Sequence, residues 1–370
     1  MKVLLVTGSL APLRCGVGDY TLRLAQALAA TPGIEVGVLT SKGAAADDTG
    51  AIKVFPVMER WGLGEAATFN LTMKQWSPDV VHIQYPTQGY GKGMLPTLIP
   101  LLASRFGARV VRTWHEIPVG HGLLSFLVEA IAPGPYVVVR EGFLRGLNPL
   151  VRPLLKGRAG GLVISASSIP RSVASDEDRR TLRARLLNGK GRLVVFFGFL
   201  YPFKGVELLF EIADPALDQI VIAGEAGVDE RYYSYLERRA NEVPWRESVT
   251  MAGYLSDRDT ADLLAAADAV ILPFRGGGGA WNSSIQAAVL QGTAVITTSR
   301  ETQGLDERRN VYFAAPEDVP AMKAALDQLA GRKRAFDPEI DQDEWRRIAD
   351  QHHALYKSPR TTHLPENGPP

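Results

Sequence analysis

The feature that most constrains the fold is a regular alternation of short aliphatic or β-branched runs with longer segments of helical spacing. Runs that are apolar throughout, rather than at every second residue, are typical of strands buried on both faces of a parallel sheet. Helices between such strands cover the two faces of the sheet. The sequence therefore predicts an α/β protein built on doubly wound parallel sheets.

The alternation occurs twice, which indicates two domains. A chain of 370 residues is too long for one ordinary domain and long enough for two separate cores. We place the first domain at residues 1–172 and the second at 190–339, with a charged segment between them that suits a linker and a helix. The strands predicted for the first domain are Val3–Thr7, Glu35–Leu39, Ile52–Val57, Val80–Ile83, Arg109–Thr113 and Leu162–Ser165. Those predicted for the second are Leu193–Gly198, Gln219–Ala223, Val249–Ala252, Ala269–Leu272 and Ala294–Thr297.

Composition and charge exclude several classes of protein. The 41 basic and 40 acidic residues leave a formal net charge of +1, which gives no drive toward nucleic acid. The apolar run after Met1 has the length of a strand rather than of a signal peptide, and no stretch reaches the roughly 20 apolar residues that span a bilayer. The only cysteine, Cys15, permits no internal disulfide, and we favour a structural thiol over a reactive one. We predict a cytoplasmic protein without an integral membrane segment.

A run of glycines in the second domain precedes a predicted helix. Gly276–Gly279 follow Arg275, and the helix is predicted over Ser283–Gln291. The start of a helix offers unpaired backbone N–H groups to an anion, and glycines let a phosphate approach the backbone closely. Asn282 or Ser283 can cap the helix or donate to a phosphate oxygen. The pattern favours a phosphate site, and a flexible surface loop is the alternative.

Lys204 follows the predicted strand Leu193–Gly198 and a short loop that contains Pro202. Open α/β sheets place ligand-binding groups in such loops, although a solvated lysine is the other interpretation. In the first domain, Gly16 and Gly18 precede a helix and allow close backbone approach to a ligand. They lack the third glycine and the acidic residue of a dinucleotide fingerprint, so we do not predict NAD. The histidines do not cluster at ligand spacing, and we predict that no metal is bound.

Taken together, these motifs follow the order found in the retaining glycosyltransferases of family 4, which the sequence resembles over residues 1–358. The segments that carry the resemblance are Gly16–Gly18, Pro78–Pro86, Thr113–Glu116, Gly198–Gly205, Ala223–Glu225, Gly253–Asp257 and Leu272–Ser284 before Gly292. The resemblance implies the GT-B fold, in which two Rossmann-like domains face each other across a cleft. It also implies that a C-terminal helix within residues 340–358 packs back on the first domain. The tail at 359–370 lacks periodicity, and we predict that it is disordered.

The resemblance assigns roles to individual residues. Lys204 neutralises the diphosphate leaving group, and His115 contacts the transferred sugar rather than acting as a nucleophile. The other residues predicted on the donor side are Gly16, Gly18, Arg275, Gly278, Gly279, Asn282, Ser283, Ser284, Glu225, Tyr254 and Leu255. Those predicted on the acceptor side are Asp19, Tyr20, Gln84, Tyr85 and Glu116. His82 is equally well explained as a core residue.

The sequence departs from the family at three positions. Phe199 stands where the family has an arginine that shares the phosphate charge, and Arg275 is a candidate to replace that charge. Gly279 and Ala287 occupy the positions of two family glutamates that contact the sugar and the ribose. The sequence does not specify the base or the sugar, so UDP-, GDP-, ADP- and dTDP-sugars are all candidate donors.

We therefore predict a metal-independent, retaining hexosyltransferase without a further cofactor. Its acceptor is a hydroxyl of a glycan, a glycolipid or a small natural product, and assembly as a homodimer is left open. Two alternatives are a catalytically silent nucleotide-binding or partner protein and a nucleotide-sugar epimerase.

Overall fold

The computed structural model describes residues 1–13, 15–45, 50–116, 132–140, 143, 147, 149, 159–225, 230–279, 282–340 and 344–358. These residues form two units. The first holds the described residues of Met1–Ser165 together with the C-terminal helix, and the second holds those of Ala166–Gln342. The predicted tail at 359–370 lies outside the described residues.

The first unit is built on a seven-stranded parallel sheet in the order β3-β2-β1-β4-β5-β6-β7. Its strands are β1 (Lys2–Val6), β2 (Glu35–Ser41), β3 (Ile52–Met58), β4 (Val80–Tyr85), β5 (Arg109–Trp114), β6 (Tyr136–Val138) and β7 (Ala159–Leu162). The helices between them are α1 (Gly16–Ala29), α2 (Ala66–Trp76) and α3 (Leu95–Ser104). Every residue of β4 is buried, as expected for a central strand covered on both faces. Strand β7 covers Ala159–Leu162, so it ends at the residue where the predicted strand Leu162–Ser165 begins. The two glycines before Leu162 are part of the strand.

The second unit repeats this architecture in the order β10-β9-β8-β11-β12-β14-β13. Its strands are β8 (Arg192–Phe197), β9 (Asp218–Ala223), β10 (Val249–Gly253), β11 (Ala269–Leu272), β12 (Ala294–Thr298), β13 (Gly304–Asp306) and β14 (Val311–Ala314). Its helices are α4 (Asp176–Leu186), α5 (Leu209–Ile212), α6 (Glu230–Asn241), α7 (Asp257–Ala266), α8 (Ser283–Leu290) and α9 (Val319–Leu329). Strand β13 runs antiparallel to β14, and the other pairs are parallel. Sequence analysis did not identify this short edge pair.

Each sheet has a point at which the strand order reverses. In the second sheet the chain moves outward from β8 through β9 to β10 and then returns to place β11 on the other side of β8. The first sheet does the same with β1 and β4. Loops that leave the carboxyl ends of two such strands diverge to opposite faces, and the crevice between them is where open α/β sheets bind ligands.

The C-terminal helix α10 (Glu344–Lys357) packs against α1 in the first unit. Its buried face carries Ile348, Ala349, His352, Leu355 and Tyr356, a spacing that places these side chains on one side of the helix. The aromatic rings of Trp345 and Tyr20 meet edge to face, with their centroids 5.1 Å apart. The chain thus completes the first unit with its last described helix.

Candidate active site

Two glycines shape the loop that follows β8. Gly198 has a φ of +138° and Gly205 a φ of +66°, conformations that side chains disfavour. A Cβ at Gly205 would lie 2.3 Å from the carbonyl oxygen of Pro273, so the backbone of this loop packs directly on the loop after β11. A short 3-10 turn, Pro202–Lys204, lies between the two glycines. The two loops at the reversal point of the second sheet are therefore in contact.

Lys204 is half-buried at the end of this turn. Its ammonium group lies 4.4 Å from the centroid of the Phe274 ring and 5.6 Å from that of the Phe203 ring. Aromatic faces attract a cation at these distances. The side chain thus lies over Phe274, at the start of the glycine-rich loop.

The glycine-rich loop is folded against the sheet in its described part. Gly277 and Gly279 have positive φ values of 85° and 66°. The N–H of Gly278 donates to the carbonyl of Thr298 at 2.7 Å, and a Cβ at Gly278 would meet Phe274, Ile285 and Thr297 at 2.7–3.0 Å. Gly278 is therefore packed on the loop after β11 and on β12.

Helix α8 begins directly after this loop. Asn282 caps it, because its side-chain oxygen accepts a hydrogen bond of 3.0 Å from the N–H of Ser284. A Cβ at Gly198 would stand 3.2 Å from the Oγ of Ser284, which brings the end of β8 to the first turn of the helix. The start of α8 therefore lies beside the loop that carries Lys204.

The positive charge of Arg275 is paired with two carboxylates. Its guanidinium forms ion pairs with Glu207 and Glu317, and Glu207 also accepts a hydrogen bond from the hydroxyl of Tyr232. The hydrogen bond to Glu207 and the charge of both carboxylates raise the pKa of Arg275 further above its usual value. The sequence analysis proposed that Arg275 replaces the arginine missing at Phe199, and that role stays a prediction beside the two ion pairs observed.

Three residues predicted on the nucleotide side lie at the ends of β9 and β10. The carbonyl of Glu225 accepts a hydrogen bond of 3.0 Å from the N–H of Leu200, which ties this loop to the loop of Lys204. Tyr254 is 51% exposed. Leu255 is half-buried and lines a cavity of about 460 Å³ bordered by α4 and α7. Glu225 thus lies beside the loop that carries Lys204, and Tyr254 presents an accessible ring.

In the first unit, the two glycines of the N-terminal motif differ in their surroundings. Gly16 is exposed at the start of α1, and a Cβ there would meet nothing within 4 Å. Gly18 is buried, and a Cβ there would lie 2.6 Å from the carbonyl oxygen of Ser9. Close packing of backbone against backbone thus explains the glycine at position 18, and its contact with the donor stays a prediction. Asp19 is exposed in the first turn of the helix.

Polar side chains of β4, β5 and α10 form a connected network that sequence analysis missed. Tyr356 Oη lies 2.6 Å from Nδ1 of His82, whose Nε2 lies 2.7 Å from Thr113 Oγ1 and 3.3 Å from Gln84 Nε2. Gln84 Oε1 lies 2.9 Å from Nε2 of His115. His82, Gln84 and Thr113 are completely buried. His82 is therefore a satisfied core residue.

Three residues predicted on the acceptor side have buried side chains with partners inside the first unit. Gln84 is occupied by two histidines, and Tyr20 is 4% exposed between the rings of His115 and Trp345. Tyr85 is buried and stacks on Tyr90. Their side chains support the site from behind. Glu116, which follows His115, is exposed.

Burial lowers the pKa of the histidines in the network. Desolvation, with a smaller contribution from the charge of His352, lowers the pKa of His115 to about 3. Desolvation also lowers the pKa of His352 to about 4 and that of His82 well below its usual value. His115 is consequently neutral at physiological pH, which suits a hydrogen-bonding group rather than a general acid.

Among the described residues, no three histidine, cysteine or acidic side chains are grouped so that they could hold a metal ion. Within the same part of the chain, no helix has the length and apolar character needed to cross a membrane.

Two units, each an open α/β sheet with its loops at the reversal point, define a GT-B fold. Two family models match the chain: the glycosyl transferase 4-like domain over residues 15–166 and glycosyl transferases group 1 over residues 191–332. Together they span most of the chain. The chain belongs to the glycosyltransferase family that these two models describe.

Solved structures with the same fold align over nearly the whole chain. Sucrose-phosphate synthase from Thermosynechococcus elongatus matches with a TM-score of 0.68 at 17% identity, covering 96% of this chain and 95% of its own. HepE from Anabaena in complex with UDP-glucose gives 0.65 at 17% identity, with 96% and 94% covered. The catalytic domain of starch synthase IV from Arabidopsis thaliana, bound to ADP and acarbose, gives 0.62 at 15% identity, with 98% and 96% covered. No curated protein sequence matches the chain.

Proposed function

We propose that this glycosyltransferase moves a sugar from a nucleotide-sugar donor to a hydroxyl acceptor with retention of anomeric configuration and without a metal ion. The observation that carries the proposal is the convergence of the Lys204 turn and the start of α8 at the reversal point of the second sheet. Gly205 packs on Pro273, and Gly198 lies against Ser284. The second unit therefore presents one ammonium group and one helix N-terminus together.

These two features suit the diphosphate of a donor. Backbone N–H groups in the first turn of α8, including that of Ser283, lack partners within the helix and favour a bound anion. The Lys204 ammonium adds a full positive charge on which the departing diphosphate can be stabilised. Support comes from HepE, a protein of the same fold that was solved with UDP-glucose.

The nucleoside would lie toward Glu225, Tyr254 and Leu255 at the neighbouring strand ends. The family glutamate position at Ala287 is completely buried in α8, so a carboxylate there would have to enter the core. We propose that backbone groups around Gly278, Gly279 and Ser284 hold the ribose and sugar instead. The base is then identified by the nucleotide-binding experiment.

In the first unit, we assign His115 to the transferred sugar and the exposed residues Gly16, Asp19 and Glu116 to the substrates. Because His115 is neutral, it contributes a hydrogen bond rather than a proton. The acceptor hydroxyl attacks the anomeric carbon on the face from which the diphosphate departs. The new C–O bond forms as the bond to the phosphate oxygen breaks, and that oxygen takes the hydroxyl proton. No protein nucleophile is required.

The proposal is tested by nucleotide binding followed by turnover. We expect one of UDP, GDP, ADP and dTDP to raise the unfolding temperature, because a ligand at 100 times its Kd stabilises by roughly 2.7 kcal/mol. The matching nucleotide sugars are then incubated with candidate acceptors, and the anomeric configuration of the product is read by NMR. A folded sample that none of the nucleotides stabilises contradicts the proposal, and an inverted product contradicts retention.

A catalytically silent nucleotide-binding protein is the second candidate, favoured by Phe199, Gly279 and Ala287 at positions where the family has charged side chains. Tight nucleotide binding with no turnover on a broad acceptor panel would support it. An epimerase would convert the donor sugar without any acceptor, which analysis of acceptor-free reactions detects.

A further inference from the structure

In the polar network of the first unit, each hydrogen bond has a defined donor and acceptor. This order of donors and acceptors determines what His115 can bind. We infer that Gln84 and Tyr356 are positioning residues that hold His115 as its Nε2–H tautomer, leaving Nδ1 as a hydrogen-bond acceptor for a substrate hydroxyl. The inference rests on the proposed place of His115 at the transferred sugar. It adds the protonation state of that residue, the groups that fix it and the chemistry it selects.

The amide of Gln84 is the centre of the argument, because its two ends have opposite character. Its Oε1 only accepts hydrogen bonds and lies 2.9 Å from Nε2 of His115, so His115 Nε2 must carry the hydrogen. Its Nε2 only donates and lies 3.3 Å from Nε2 of His82, so that nitrogen must be unprotonated. One amide orientation therefore sets the tautomers of two histidines.

The other contacts of His82 agree with this assignment. With its hydrogen on Nδ1, His82 donates to the hydroxyl oxygen of Tyr356 at 2.6 Å. The hydroxyl of Thr113 donates to His82 Nε2 at 2.7 Å. Turning the Gln84 amide over would require His82 to change its tautomer at the same time. Tyr356, on the C-terminal helix, thereby helps to fix the state of a ring on β5.

Burial makes the arrangement rigid. Gln84, His82 and Thr113 are completely buried and Tyr356 is 5% exposed, so water is not at hand to replace a lost partner. A buried polar group left without a partner costs about 1–3 kcal/mol, which opposes rearrangement. The ring of His115 is also held edge to face by Tyr20, with centroids 4.7 Å apart.

The consequence for the substrate is specific. His115 is half-buried, and its Nδ1 has no hydrogen-bond partner among the described residues, while its Nε2 is committed to Gln84. A neutral imidazole with an unprotonated Nδ1 accepts from an O–H or N–H and repels a phosphate or carboxylate oxygen. The group that meets His115 is therefore a sugar hydroxyl that donates, and a donor lacking that hydroxyl would be discriminated against.

The tautomers are measured first, without any substrate, on protein labelled with 15N in its histidines. Two-bond 15N–1H NMR spectra distinguish a protonated ring nitrogen from an unprotonated one. We expect His115 to carry its hydrogen on Nε2 and His82 to carry its hydrogen on Nδ1. The opposite pattern at His115 overturns the inference, whatever the activity of the enzyme.

Variants then test whether the network acts through His115. We expect Gln84→Leu to lower kcat by about 10-fold or more while the Kd of the nucleotide is unchanged, by analogy with hydrogen bonds that orient metal-bound histidines, which are worth about 10–100-fold. Gln84→Glu keeps an acceptor facing His115 and should retain the Nε2–H tautomer and more activity than Gln84→Leu. Tyr356→Phe should weaken the preference of His82 for Nδ1–H.

Tyr90→Phe is the matched control. Tyr90 is buried in the same unit and donates one hydrogen bond of 3.0 Å, to the carbonyl of Val6, outside the network. It should leave both tautomers and kcat unchanged. Equal effects of Gln84→Leu and Tyr90→Phe would refute a positioning role. An enzyme without turnover that shows the assigned tautomers would refute the proposed function but not the assignment.

Discussion

Gly198 lies so close to Ser284 that a Cβ on the glycine would stand 3.2 Å from the serine Oγ. The first residue belongs to the loop after β8 and the second to the first turn of α8. Because this contact leaves no room for an intervening side chain, the helix N-terminus is held at a fixed distance from the turn that carries Lys204. The donor site proposed here depends on this proximity.

Removal of the Lys204 ammonium should reduce activity far more than stability. We expect Lys204→Ala to lower kcat by about 100-fold or more, in the range measured when a group that stabilises transition-state charge is lost. The side chain is half-buried over Phe274, so the fold should persist. Steady-state kinetics check the prediction. The control is Lys323→Ala, an exposed lysine on α9, and equal losses in both variants would argue against the role of Lys204.

Two neighbouring glycines should respond differently to alanine. Gly278→Ala places a Cβ against Phe274, Ile285 and Thr297 at 2.7–3.0 Å, so we expect a destabilisation of about 1–3 kcal/mol and weaker nucleotide binding. Gly276→Ala meets nothing within 4 Å and should be tolerated. Urea unfolding and nucleotide titration of both variants provide the comparison. Equal stability of the two variants would mean that the loop is not packed as described.

The stability of the first unit should fall below neutral pH. The pKa of His352 is lowered to about 4, so the unfolded chain, whose histidines titrate near 6.5, takes up protons more readily. Stability is therefore complete above about pH 6.5 and decreases as the pH falls toward 4. Between pH 7.5 and pH 5, His352 alone accounts for about 2 kcal/mol. Urea unfolding at the two pH values measures the change.

The variant His352→Gln should remove this part of the pH dependence. His353 is adjacent on the same helix but only half-buried, and although desolvation lowers its pKa too, His353→Gln should remove less of the pH dependence and serves as the control. If both variants retain the full pH dependence of the wild type, burial of His352 is not its source.

A variant of Arg275 tests whether this arginine serves in an ion pair or binds the ligand. Since its charge is shared by Glu207 and Glu317, we expect Arg275→Gln to lower stability by about 1 kcal/mol, in the range of exposed pairs, and to leave the nucleotide Kd nearly unchanged. Calorimetric titration with the nucleotide measures the Kd. A Kd weakened tenfold would restore the phosphate-binding role inferred from the sequence.

The sequence was sufficient for the architecture because continuous apolar runs such as Ala269–Leu272 require burial on both faces. The cap at Asn282 could be predicted because it follows from local order along the chain, whereas the role of Lys204 stays a prediction. Sequence analysis failed where partners are distant: His82 and Tyr356 are 274 residues apart, and Arg275 is 68 residues from Glu207. Tyr20 is covered by Trp345 of α10 and Gln84 is held between His82 and His115, and local spacing does not report these contacts.

The return of α10 to the first unit also has a consequence for biosynthesis. While the ribosome is still adding residues beyond 166, the first sheet has all its strands, yet the imidazole of His82 has no phenol to cover it. The second unit, whose residues run from 166 to 342, is complete in sequence before Tyr356 has been added. The first unit is thus begun before the second unit and completed after it.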